Sequence, residues 1–243
     1  MNIPIFGFTL SLGFIFSSFW FFKNTKNEFA NDDQAISLIT YLAIGWLLGA
    51  RLFFFLTHIR TFPNLWTFFF PWRYSGCSFV GGMIGIIIAA ITTTKKIKID
   101  PWRLSDPALL PLFLYTTAYF LGQFLTGQEK LSLYNIILAL VIAAFSQWLL
   151  NHYRSFAWYP SGKIGFTFLL ATSFFFSLSA LFAFLLSPGL YFNNAIKLLL
   201  SLGTIILWYL RSGREFRQDI KTLNKIVPLK RDPAKAGKTY AKK

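Results

Sequence analysis

A chain of 243 residues that is 55% hydrophobic, 20% aromatic and only 14% charged falls well below the roughly 25% charge of a soluble domain. The apolar residues come in long runs, which excludes an ordinary water-soluble core and points to an integral membrane protein. The net charge of +15 gathers in loops and a C-terminal tail, with no aromatic platform or folded reading module beside it. No nucleic-acid partner is therefore expected.

Seven apolar runs are predicted spans, at 3–22, 35–56, 79–91, 108–125, 131–150, 164–186 and 195–210. A helix needs about 20 residues to cross the hydrocarbon. The first run has no basic stretch before it and no small-x-small cleavage site after it, so it reads as a retained helix rather than a signal peptide. The third run is short and extends at its C-terminal end through 92–94; the fourth and seventh are also slightly short. The expected fold is an all-α integral membrane protein with seven transmembrane helices in residues 1–210. A basic cytoplasmic tail, 211–243, follows. Its Pro, Gly, Lys and Ala content predicts that it is largely disordered.

Charge placement gives the orientation. With the N-terminus outside, the inner side receives Lys23, Lys26, Lys95, Lys96, Lys98, Arg103, Arg154 and Lys163, together with the eleven basic residues of the tail. The outer loops receive only Arg60, Arg73 and Lys130. This asymmetry predicts N-terminus outside and C-terminus inside, and it places the stretch YSGCSFVGGMIG, 74–85, at the outer face. The tail lies where anionic headgroups attract it.

Few ionisable groups enter the spans. Arg51 and Lys197 are the cations there. Arg51 either snorkels to outer headgroups or binds a lipid phosphate, which a guanidinium matches with a two-point fork. Asp106 stands at the start of the fourth span, where it reads as an N-terminal cap. His58 and His152 fall in loops on opposite faces and cannot share a site. Gln123 and Thr126, three residues apart, share a helix face near Gln128; they bond either a ligand or another helix. The single cysteine, Cys77, excludes an internal disulfide and a cysteine metal cluster. No Gly-rich phosphate loop or paired-histidine site is visible. Neither a metal nor a cofactor is expected.

The run GARLFFFLTHIRTFPNLWTFFFPWRYSGCSFVGGMIGIIIA, 49–89, resembles the prolipoprotein diacylglyceryl transferase family, where Gly-Gly-Met-Ser-Phe-His-Gly-Gly precedes a membrane helix. KKIKIDPWRLSDPALLPLFLYTTAYFLGQFLTGQE, 95–129, is similar to the family's basic loop, Asp-bearing helix start and Gly-Arg-Ile-Gly-Asn-Phe-Ile-Asn-Gly-Glu signature. SLYNIILALV, 132–141, looks like its Pro-Ser-Gln-Leu-Tyr-Glu segment. The resemblance implies a seven-span bacterial inner-membrane protein. Such an enzyme moves diacylglyceryl from phosphatidylglycerol to the lipobox cysteine of an exported lipoprotein precursor.

The departures bear on the chemistry. The family's histidine falls on Val80, its signature arginine on Phe120, its asparagines on Gln123 and Thr126 and its glutamate on Gln128. A later arginine falls on Phe174 or Phe175. A thiol, with a free pKa of about 8.5, reacts as its thiolate, and a phosphate leaving group needs cationic stabilisation. Valine and phenylalanine supply neither. The resemblance thus implies a degenerate transferase with no assignable catalytic residue, one that retains at most lipid or precursor binding. The candidate lipid contacts are Arg51, Ser78, Gly81, Gly82, Gln123, Thr126 and Gln128, with Asp106, Gly122 and Gly127 structural. The glycines around Val80 are expected to shape a re-entrant turn. The alternatives are an active transferase using other residues, His58 and Arg60 among them, or a transporter or scaffold.

Overall fold

Local signals in the chain set most helix boundaries. The computed structural model describes residues 3–29, 31–59, 77–127, 131–152, 161, 163–186 and 191–213. The helices are α1 (Ile3–Thr25), α2 (Asp32–Thr57), α3 (Phe79–Lys96), α4 (Pro101–Ser105), α5 (Leu109–Leu125), α6 (Ser132–His152), α7 (Phe166–Leu186) and α8 (Tyr191–Ser212), with a 3-10 turn at Lys26–Glu28. Asp32 and Asp33 sit in the first turn of α2, and Lys95 and Lys96 in the last turn of α3, the ends each charge favours. Ser78 caps α3 by accepting from Gly81 N at 3.3 Å. Asp100 caps α4 ahead of Pro101. Gly127, at φ +67° just past the end of α5, adopts the left-handed conformation that suits glycine there.

Six helices, α1, α2, α3, α6, α7 and α8, are long and apolar enough to cross a membrane. α5 is apolar but has 17 residues, about 25 Å of rise at 1.5 Å per residue. There is no strand among the described residues. The fold is therefore an all-α membrane architecture in which six of the seven expected spans meet the length requirement. α8 runs through Ser212, two residues beyond the expected boundary, and the tail from 214 lies outside the described residues.

α2 packs along α3, α1 along α5, α5 along α6, and α7 against both α6 and α8. The main core joins Phe6 of α1, Trp46 of α2, Met83 of α3, Phe113 of α5, Ile142 of α6 and Phe176 of α7. Hydroxyl groups within the helices are mostly satisfied locally. Thr116, Thr117 and Thr172 each bond the carbonyl four residues back, so the polar atom is spent on its own helix. Between α7 and α8, Lys197 Nζ donates to Ser179 Oγ at 3.1 Å and Ser177 and Ser201 share a hydrogen bond.

The bundle has two ends. One carries Ser78 and the end of α5; the other carries α4 and Asp106.

Candidate functional site

At the Ser78 end, α2 and α3 touch backbone to backbone. Gly45 and Gly49 of α2 meet Gly81 and Gly85 of α3, two four-residue spacings of glycine facing one another. A methyl group on any of them would overlap a backbone or Cβ atom of the partner helix; small residues at this spacing allow such an approach. The missing side chain of Gly81 is replaced by Phe53 Cβ and the Gly49 carbonyl, and that of Gly82 by the Trp46 indole. The expectation of a re-entrant turn is thus corrected at 81–85. These glycines lie inside α3 and seat it on α2, because the closest neighbour is a helix. Position 76 lies outside the described residues.

Ser78 N donates to the carbonyl of Ala50 at 3.0 Å, which fixes the start of α3 beside Arg51. Arg51 is only 7% exposed and is engaged by the protein. Snorkelling along a lipid-facing surface is therefore corrected: α2 turns this side chain into the bundle. Cys77 lies just outside α3. Burial raises its thiol above the ordinary range, while the nearby charge of Arg51 acts in the opposite sense.

A short polar chain ties this junction to α5. Tyr119 Oη donates to the Cys77 carbonyl at 2.9 Å, and Gln123 Nε2 donates to Tyr119 Oη at 3.0 Å. Gln123 is buried, and its Oε1 has no hydrogen-bond partner. Trp46 Nε1 is likewise buried without one. An unpaired buried acceptor costs about 1–3 kcal/mol, so Gln123 keeps an open capacity for a donor. Thr126 Oγ1 instead bonds the Gly122 and Gln123 carbonyls of its own helix. Gln128 lies outside the described residues. Gly122 packs against Thr9 and Phe6 of α1.

The positions where the resemblance implied a histidine and the signature arginine are apolar and buried. Val80 and Phe120 are each 3% exposed. Phe79 lies 5.1 Å from Phe120 and 6.0 Å from Phe175 between ring centroids, and Phe120 lies 6.4 Å from Phe175. These are ordinary aromatic packing distances. Phe174 points outward, at 51% exposed, so of the two α7 positions only Phe175 meets Phe120. Proton transfer and phosphate neutralisation have no side chain to act through among these rings.

Asp106 is a cap, but of another helix. Its Oδ2 accepts from Gly165 N at 2.8 Å and its Oδ1 from Phe168 N at 3.0 Å, so it closes the N-terminus of α7. Its own neighbour α5 starts after Ala108 with no side-chain cap. The sequence reading gave the residue a structural role and the wrong partner, since the two amides lie 59 and 62 residues away. His58 and His152 finish α2 and α6, each bonded to a carbonyl one turn back, rather than lying in loops.

Tyr119 escaped sequence reasoning. Its spacing of four from Gln123, on one helix face, was the available signal. Trp46, edge-on to both Tyr115 and Tyr119, carried no such signal.

Comparison with known proteins bears on this geometry. The family profile described as prolipoprotein diacylglyceryl transferase matches residues 1–212. The phosphatidylglycerol–prolipoprotein diacylglyceryl transferase of Legionella pneumophila (strain Paris) is 34% identical over 135 residues, 53% of this chain and 51% of the relative. Those of Aliarcobacter butzleri, 33% identical over 122 residues, and Acidiphilium cryptum, 30% over 111, share 46% and 41% of this chain. The matches cover 43% and 38% of those two relatives, so the chain spans about half or less of the length of the relatives it matches.

Proposed function

We propose a function from one premise: the chain belongs to the prolipoprotein diacylglyceryl transferase family. On this reading it is a multi-pass protein of the bacterial inner membrane with seven spans, its N-terminus outside and its C-terminus inside. α5 makes the seventh span, and the Ser78 end faces outward. The protein keeps the family scaffold and has lost the transfer chemistry. It holds a phosphatidylglycerol-like phospholipid, or a lipoprotein precursor, near Arg51 and Gln123, with Thr126 beside them and Gln128 a further contact suggested by the sequence alone.

The observation that carries the reading is that Val80 is buried and that Phe120 and Phe175 pack with Phe79 in one ring cluster. Base and cation positions occupied by packed hydrocarbon offer no acceptor for a thiol proton and no charge for a departing phosphate. Lipid binding draws support from the buried guanidinium of Arg51 and the open acceptor Gln123 Oε1, which suit a phosphate and a hydroxyl respectively.

The deciding experiment incubates purified protein with phosphatidylglycerol and a lipobox peptide beside a complete transferase. No diacylglyceryl mass gain on the peptide cysteine is expected. A clear gain would replace this reading with active transfer by non-standard residues. For binding, Arg51→Ala is expected to lower co-purified anionic phospholipid severalfold; unchanged lipid in folded protein would remove Arg51 from the site.

A further inference from the structure

At the Asp106 end the surface carries an open cleft of about 540 Å³, a volume in the range of small-ligand sites. Trp102, Arg103, Ser161, Lys163 and Arg211 line it, with Asp100 as the one acid among its described residues. Three cations thus face one carboxylate, and that carboxylate is already committed: Asp100 Oδ1 accepts the Trp102 amide at 3.1 Å as the cap of α4.

Arg211 is held before any ligand arrives. Its Nε and Nη2 both donate to the Ile164 carbonyl, at 3.1 and 2.8 Å, and its guanidinium carbon lies 3.9 Å from the centre of the Trp102 ring. Ser161 Oγ donates to the Arg211 carbonyl at 2.7 Å, which ties the rim to the end of α8. Two of its N–H groups meet a neutral carbonyl, so the positive charge of Arg211 is oriented without being neutralised. Fixing a guanidinium beforehand removes much of the ordering cost of binding. Arg103 reaches Glu28 at 4.0 Å, and both are exposed, a pair of little strength.

We propose that this cleft binds a phosphate group. The N–H groups of Arg211 not used on the Ile164 carbonyl, those of Nη1 and the second of Nη2, recognise phosphate oxygens, and Arg103 and Lys163 supply charge around the remaining ones. A second cleft beside it, of about 450 Å³, shares Arg103 but contains Glu28 and Asp106, so the phosphate belongs in the first. Two sources carry this chemistry: the headgroup of an anionic phospholipid in the adjacent leaflet, and a free phosphate in solution. The site is separate from the Ser78 end and does not depend on whether transfer chemistry survives there.

The test is residue-resolved acylation of lysines in the full chain, reconstituted in nanodiscs. Three conditions are compared: phosphatidylcholine alone, phosphatidylcholine with phosphatidylglycerol, and phosphatidylcholine with inorganic phosphate. Lys163, exposed at the cleft, is the reporter, and Lys95, exposed at the end of α3, is the reference. Phosphatidylglycerol, inorganic phosphate or both are expected to slow acylation of Lys163 about fivefold relative to Lys95. Protection by the lipid alone assigns the headgroup; protection by inorganic phosphate assigns the free anion. Arg103→Gln, at a side chain 64% exposed and so harmless to folding, is expected to remove most of the protection. Lys163 and Lys95 responding alike in every condition, or protection unchanged in Arg103→Gln, would overturn the proposal.

Discussion

At the Asp106 end, a carboxylate holds two amides of another helix, a guanidinium holds a carbonyl while stacked on an indole, and Gly165 at φ +100° lies against that same indole. At the Ser78 end, glycines press two helices together and phenylalanine rings fill the space beyond them. The first region depends on directional bonds whose partners cannot be exchanged. The second depends mainly on shape and volume, which tolerate related residues, beside the short polar chain of Cys77, Tyr119 and Gln123.

Asp106→Ala should break this contrast most severely. It leaves the Gly165 and Phe168 amides without their charged acceptor, and bonds to charged groups contribute about 1.5–3 kcal/mol each. A loss of about 3 kcal/mol or more is expected in detergent unfolding; a loss under 1 kcal/mol would mean that α7 is held by packing alone. Phe120→Leu, within the ring cluster, should cost less, about 1.5 kcal/mol or below, as apolar swaps of similar volume do. A cost above that of Asp106→Ala would reverse the comparison.

The smallest effect sharpens the link between Arg51 and Cys77. Burial favours the neutral thiol, so alkylation of Cys77 should be slower than that of a free thiol at pH 8 and should accelerate as pH rises. Removing the charge in Arg51→Ala takes away the opposing influence, raises the thiol further and should slow alkylation again, severalfold at most. Faster alkylation in that variant would instead indicate that the junction at Ser78 has opened. A raised thiol pKa also means that stability declines once pH passes the unfolded thiol's value, because the unfolded chain releases its proton first.

Several features were legible residue by residue. Hydropathy runs mark the helices, since a span must satisfy its backbone internally and cover it with hydrocarbon. Asp106 beside Pro107 reads as structural, whereas Ser78, read as a lipid contact, is seen as the cap of α3 only in the structure. The glycine spacing at 81 and 85 marks a close approach, although not what approaches. The pairing of Gln123 with Tyr119 lay within a one-turn spacing and was readable in principle.

The sequence by itself determined an all-helical membrane chain and its family. It also determined the absence of a base or cation at positions 80 and 120, because composition, periodicity and motif spacing are properties of short stretches. Tertiary structure alone decided that Asp106 serves α7, that Arg51 is turned into the bundle, that Phe175 rather than Phe174 meets Phe120, and that Arg211 stands over Trp102. Each of these joins residues far apart in the chain, and each depends on how helices rotate about their own axes. That rotation is set by packing summed over whole helix faces, a quantity that no local stretch of sequence contains.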